Sequence, residues 1–259
     1  PRDAEGGRDG VTRVAVCQLA PAPGDAGARA RTVEAVAEAT GQGADVVVLP
    51  ELAVPGYTWD RDLLEDLAEP VAGGATVEAW RDAVRGSDAV VAGGIAERDG
   101  DSIYNTAVLV DESGVLLHYR KLHLFSGERG VMTPGDRGLP VVETAHGTIG
   151  LCICYDLRFV EVMRALSLAG ADLVCVPTAW TPGFDAEHWD RDGFCPQARG
   201  ALLQANLDGV AVACASQGGQ PGDHLLLGSS VIGDARGRCL TGPMGPEESG
   251  IAIADIAAQ

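Results

Sequence analysis

Apolar runs that are nearly unbroken by polar residues recur along this chain, and stretches with helical spacing separate them. RVAVCQL (13–19), DVVVLP (45–50), GLCIC (150–154), DLVCVP (172–177) and VAVACAS (210–216) are each too short for a buried helix and rich in valine. A strand that is apolar at every position is buried on both faces, so these runs demand a sheet covered on both sides. Helical spacing fills the gaps at Ala28 to Thr40, near 62–68 and 76–85, from Phe159 to Ala169, and from about Gln197 to Leu207. Further strands are expected at 89–96, 106–111, 114–120, 229–234 and 251–256, with Asp111-Glu-Ser-Gly114 as a hairpin turn. The fold class is therefore α/β, with two β-layers and helices outside them.

No proline-rich or low-complexity linker divides the 259 residues. Residues 12–259 are read as one domain, preceded by a flexible tail over residues 1–11. A net charge of −18 argues against general affinity for nucleic acid or an anionic membrane surface. No segment has the roughly 20 apolar residues of a membrane helix, and the start lacks a hydrophobic signal core. Cys17, Cys175 and Cys214 lie inside apolar runs, as buried free thiols do, which fits a reducing cytoplasm. Cys152-x-Cys154 lacks the spacing of a zinc site, so no metal is expected.

Lys121 is the only lysine, beside 18 arginines. It sits in HYRKLHLF, between Glu51 in LPELAVPGY and Cys154 in GLCICYDLRF. Glu51 and Cys154 each close an apolar run, and ligands of open α/β sheets gather at the carboxyl ends of strands. A thiol with an ordinary pKa of about 8.5 is mostly protonated at neutral pH, so a cysteine nucleophile requires a base or a cation. Glu51 as base and Lys121 as a compact cation beside an oxyanion meet that need. Glu128 in FSGERG can anchor the ammonium or form a surface pair with Arg129 or Arg137. His118 and His123, read as opposite faces of one strand, leave a Cys–His dyad open.

The blocks LPELAVPGY, YRKLHLFSGER…TPGD and GLCICYDLRFVE resemble the signature segments of the nitrilase superfamily, the carbon–nitrogen hydrolases. Likeness extends from RVAVCQLAPAPGD through GADLVCVPTAW to LGSSVIGDARG. The resemblance implies a four-layer αββα sandwich that pairs into αββααββα in a homodimer or larger homo-oligomer. It implies a Glu-Lys-Cys triad of Glu51, Lys121 and Cys154, with Glu128 as a second glutamate and no cofactor. The Tyr155 N–H would complete an oxyanion hole, and Tyr57 and Trp180 would line the pocket. Arg158, four residues after Cys154, would meet a substrate carboxylate or pair with Glu161 or Asp156.

The expected reaction is hydrolysis of a small aliphatic carboxylic acid amide through a thioester. An N-carbamoyl compound or a nitrile is an alternative substrate, and a non-catalytic binding or scaffold subunit is the alternative from another class. Val160 stands where the family usually has proline, Asp208 and Ser216 stand where amides are common, and residues 181–208 diverge from the pattern.

Overall fold

The computed structural model describes residues 10–257, and most of the tail expected at the start lies outside them. The first strand, β1 (Val11–Gln18), begins inside the segment read as tail. Along the chain follow α1 (Ala28–Gly41), β2 (Val46–Val48), α2 (Arg61–Leu67), α3 (Ala75–Ala83), β3 (Val90–Asp99), β4 (Ser102–Asp111) and β5 (Gly114–Arg120). The second half holds β6 (Val141–Thr144), β7 (Gly147–Leu151), α4 (Val160–Leu168), β8 (Leu173–Thr178), α5 (Pro196–Asp208) and β9 (Ala211–Ser216). It closes with β10 (Gly218–Gly219), β11 (Leu226–Leu227), β12 (Val231–Gly233), β13 (Cys239–Thr241) and β14 (Gly250–Ala257).

Two six-stranded sheets result, ordered β14-β1-β2-β3-β4-β5 and β13-β12-β9-β8-β7-β6. Each has three parallel strands at its centre, β1-β2-β3 and β7-β8-β9, flanked by antiparallel partners. Strand alternation sorts the apolar side chains into layers. Val14, Val16, Val46 and Val48 share a buried cluster with Ile149, Leu151, Leu173 and Cys175, the face of the other sheet turned away from α4. Ala15, Cys17, Val47 and Leu49 pack instead with Val36 of α1 and Trp80 of α3. Met163 of α4 and Ala201 of α5 join the buried cluster of the second sheet. The layering is thus α-β-β-α, as expected.

Two details differ from the sequence reading. GLCIC leaves its strand at Leu151, and Cys154 opens a 3-10 turn (Cys154–Arg158) instead of ending the strand. The sequence reading also missed β6, β13 and the small β10-β11 hairpin, which are edge or two-residue elements with too little pattern to recognise. Among the described residues, no helix is long and apolar enough to cross a membrane.

The site is positioned where two parallel strands end side by side. Glu51 follows β2, and its N–H donates to Thr178 O, the last residue of β8 in the opposite sheet, at 3.3 Å. Gly94 of β3 lies against this turn: a Cβ there would come within 2.6 Å of Leu52 N and 2.7 Å of Glu51 Cα. Only glycine permits that approach.

Candidate active site

Glu51, Lys121 and Glu128 meet with no solvent exposure of their side chains. Lys121 Nζ donates to Glu51 Oε1 at 2.6 Å and to Glu128 Oε1 at 2.9 Å. The lysine backbone is fixed as well: its N–H donates to Asn105 O, and its carbonyl accepts from Gly135 N, each at 2.8 Å. Glu128 sits in a 3-10 turn (Ser126–Gly130), where its Oε2 accepts the Phe125 N–H at 2.6 Å. The surface pair with Arg129 or Arg137, the other reading of Glu128, is ruled out by this burial.

Asn105, which sequence reasoning missed, joins the two carboxylates. Its Nδ2 donates to Glu51 Oε1 at 2.7 Å and to Glu128 Oε1 at 2.9 Å. The signal was an amide in a strand, β4, that is buried from Ile103 to Val110. Gln217 was missed too: its Nε2 donates to Glu51 O at 2.8 Å, so an amide holds the base one residue beyond Ser216, where it was sought.

Two carboxylates against one ammonium leave a buried negative charge without a partner. Burial raises the Glu51 pKa to about 7, and the neighbouring Glu128 adds to the rise while Lys121 opposes it. Burial alone would discharge Lys121, but Glu128 and Glu51 outweigh it and hold the ammonium well above its ordinary value. Glu51 Oε1 is saturated by its two donors, whereas Oε2 accepts no hydrogen bond.

The Cys154 thiol lies beside this carboxylate. Burial, then the charge of Glu51, pushes its pKa well above the ordinary thiol value, and Lys121 only partly compensates. The sulfur is therefore a thiol at rest, with a carboxylate that titrates near neutrality next to it. Cys154 adopts a left-handed backbone (φ +44°), a conformation that costs a non-glycine residue about 1–3 kcal/mol and persists where surrounding bonds enforce it. Asp156 supplies them: it accepts from Ile153 N at 3.0 Å, His123 N at 3.1 Å and the Tyr119 hydroxyl at 2.6 Å.

Neither histidine reaches the thiol. His118 bonds Glu97 at 2.8 Å, and His123 lies beyond the end of β5, bonded to Asp156 at 2.8 Å and stacked on Phe159. The reading of both as residues of one strand is corrected, and with it the Cys–His dyad. Among the described residues, no group of three or more His, Cys, Asp or Glu is placed to hold a metal ion.

Cys154 opens on a cavity of about 130 Å³ whose wall includes Phe125, Tyr155, Trp180 and Phe184. An apolar cavity near 150 Å³ accepts benzene, so this one holds an acyl group of about six heavy atoms. Tyr155, Arg158 and Trp180 line it. Tyr57 does not: it is buried beside the carboxylates and packs edge-on against Trp59 and His224. Arg158 forms no ion pair with Glu161 or Asp156; Asp156 is spent on the nucleophile turn, and the guanidinium lies over the Phe184 ring at 4.7 Å.

Comparison with known proteins bears on this geometry. The carbon-nitrogen hydrolase family model matches residues 13–259. A nitrilase of Pyrococcus abyssi is 39% identical over 143 residues, a match spanning 55% of either chain. An (R)-stereoselective amidase of Pseudomonas sp is 33% identical over 231 residues, 88% of this chain and 79% of that one. The crystal structure of an amidase from Nesterenkonia sp. superimposes with a TM-score of 0.82 at 28% identity, covering 96% of this chain and 92% of that one. A mutant of the Nesterenkonia amidase shows covalent addition of the acetamide moiety of fluoroacetamide at its active-site cysteine.

Proposed function

The chain belongs to the carbon–nitrogen hydrolase family, and on that premise we propose that it cleaves the amide of a small aliphatic carboxylic acid through a thioester on Cys154. The observation that carries this reading is the division of labour on Glu51. One oxygen is held by Lys121 and Asn105, and the other is bare beside a protonated thiol at the mouth of an apolar cavity.

In this mechanism, Cys154 Sγ attacks the amide carbonyl carbon as its proton passes to Glu51 Oε2. The carbonyl π electrons move to oxygen, and the oxyanion is stabilised by the Lys121 ammonium and the Tyr155 N–H. Tyr155 is in the first turn of its 3-10 helix, where N–H groups have no partner within the helix. The C–N bond breaks as Glu51 returns the proton to the departing nitrogen, which leaves as ammonia. Water then attacks the thioester and gives its proton to Glu51; the collapse expels Cys154 as thiol and frees the acid. Glu128 holds Lys121 in place, and Arg158 at the cavity rim meets polar or anionic ends of longer acyl groups.

We place the enzyme in a reducing cytoplasm, on the strength of its buried free thiols. A homodimer is supported by Val160 and Leu168 of α4 and Leu203 and Leu207 of α5, which are exposed on adjacent outer helices. The Ser167 hydroxyl bonds Asp208 O at 2.8 Å, bringing Leu168 and Leu207 to the same end of that face. A monomeric mass by light scattering at micromolar protein would refute the dimer. Ammonia release from small amides, N-carbamoyl amino acids and nitriles tests the reaction. Cys154-dependent turnover confined to nitriles or carbamoyl compounds would overturn the amide assignment.

A further inference from the structure

α5 turns one face to the cavity. Gln197, Gly200 and Gln204 lie three and four positions apart, the spacing of one helix face, and all three line it. Gly200 has no reason for being glycine inside the protein. Its backbone is ordinary helix, a Cβ built there meets nothing within 4 Å, and glycine is a poor helix former. Gly94 is the contrast, since backbone atoms of the Glu51 turn exclude any side chain there.

The two glutamines carry a second, independent observation. Gln197 Nε2 donates to Thr181 O at 2.9 Å, and Gln204 Nε2 donates to Leu157 O at 2.8 Å. These bonds fix which end of each amide is nitrogen. Both Oε1 atoms are left buried with no donor, and Trp180 Nε1 is buried with no acceptor. Buried polar groups without partners are unfavourable, and a leucine or methionine would fill either glutamine position without that penalty.

We infer that α5 reads the acyl part of the substrate: Gly200 leaves room for it, and Gln197 and Gln204 accept hydrogen bonds from a neutral donor that it carries. Among the described residues, the one charged side chain lining the cavity is the cationic Arg158, which disfavours an ammonium group. A hydroxyl or a second carboxamide suits the wall, because each donates to a glutamine oxygen and accepts from Trp180. This inference rests on the amidase reading of the same site.

The test compares kcat/KM for butanamide and 4-hydroxybutanamide, and for acetamide and hexanamide. Wild type is compared with Gln197→Leu, Gln204→Leu and Gly200→Leu. In parallel, the matching methyl ketones, which keep the acyl group and cannot be hydrolysed, are assayed for protection of Cys154 against iodoacetamide. Wild type should favour the hydroxylated partner about ten-fold, and each glutamine variant should bring that ratio toward one. Gly200→Leu should lower the hexanamide-to-acetamide ratio about ten-fold or more. Equal handling of hydroxylated and plain partners in both assays, or an unchanged length ratio in Gly200→Leu, would overturn the inference. Absence of amide turnover with the ketone ranking intact would overturn the amidase reading and leave the role of α5 standing.

Discussion

The two walls of this site are built on opposite principles. The wall under Glu51 is densely bonded: Lys121 and Asn105 tie Glu51 to Glu128 in a sealed network, and Gln217 holds the backbone behind it, with Asn105 Oδ1 and Gln217 Oε1 left without a donor. The wall formed by α5 is under-determined, with bare glutamine oxygens and a glycine facing open space. The sealed side fixes charges, where a small displacement alters a pKa and a barrier. On the open side the glutamine nitrogens are held by Thr181 O and Leu157 O, and the oxygens that remain are left for the ligand to satisfy.

The largest expected effect is on the sealed side. Glu51→Gln should cut kcat by about 10²–10⁴-fold, because the bare oxygen that receives the thiol proton is lost. The same variant should separate function from stability. The Glu51 pKa is raised from 4.5 to about 7 on folding, so its proton binds more tightly in the folded state. The stabilisation this gives is complete below 4.5 and is lost as pH rises through 7. The Tm of Glu51→Gln should therefore gain on wild type between pH 5 and pH 8. A constant Tm difference over that interval would show that Glu51 titrates normally.

Lys121→Arg comes next, with an expected loss of about 10²–10³-fold in kcat if the compact ammonium is an oxyanion donor. Circular dichroism must show the fold retained, since Glu51 and Glu128 still have a cation. Near-native turnover would mean that charge alone matters there. Gly94→Ala forces a methyl into backbone atoms of the Glu51 turn, and such overpacking costs about 1–3 kcal/mol. A lowered Tm with a proportionally larger loss of kcat is expected, and unchanged values would show that the turn can yield.

The smallest effect is a pH dependence of wild type. Its kcat/KM should climb as Glu51 loses its proton near pH 7, and a profile flat from pH 5.5 to 8 would contradict Glu51 as the base.

The sealed wall was largely legible in the sequence and the open wall was not, for a physical reason. Glu51, Lys121 and Cys154 each adjoin an apolar run, and a charged or reactive group at the edge of a buried strand is visible in one dimension. The layers were visible for the same reason, because continuous apolar strands allow few arrangements. Asn105 and Gln217 act through residues 54 and 166 positions away, so only the pairing of sheets reveals them. Asp156 was read as an ion-pair partner of Arg158, although it holds the nucleophile turn. Tyr57 was misplaced because sequence gives a distance along the chain, and the turn after Glu51 carries its ring behind the carboxylates. Gln197, Gly200 and Gln204 lie on a helix whose pattern marks only its buried side, and nothing in that pattern distinguishes solvent from a cavity.

The central claim is that Cys154 carries the acyl group during turnover. The direct measurement is mass spectrometry of enzyme quenched while hydrolysing a small amide, with peptide mapping and Cys154→Ala as control. The account predicts an acyl adduct on the peptide containing Cys154 and none on the exposed Cys239, with neither adduct nor ammonia in the variant. Ammonia release that persists in Cys154→Ala, or an adduct on another residue, would contradict it.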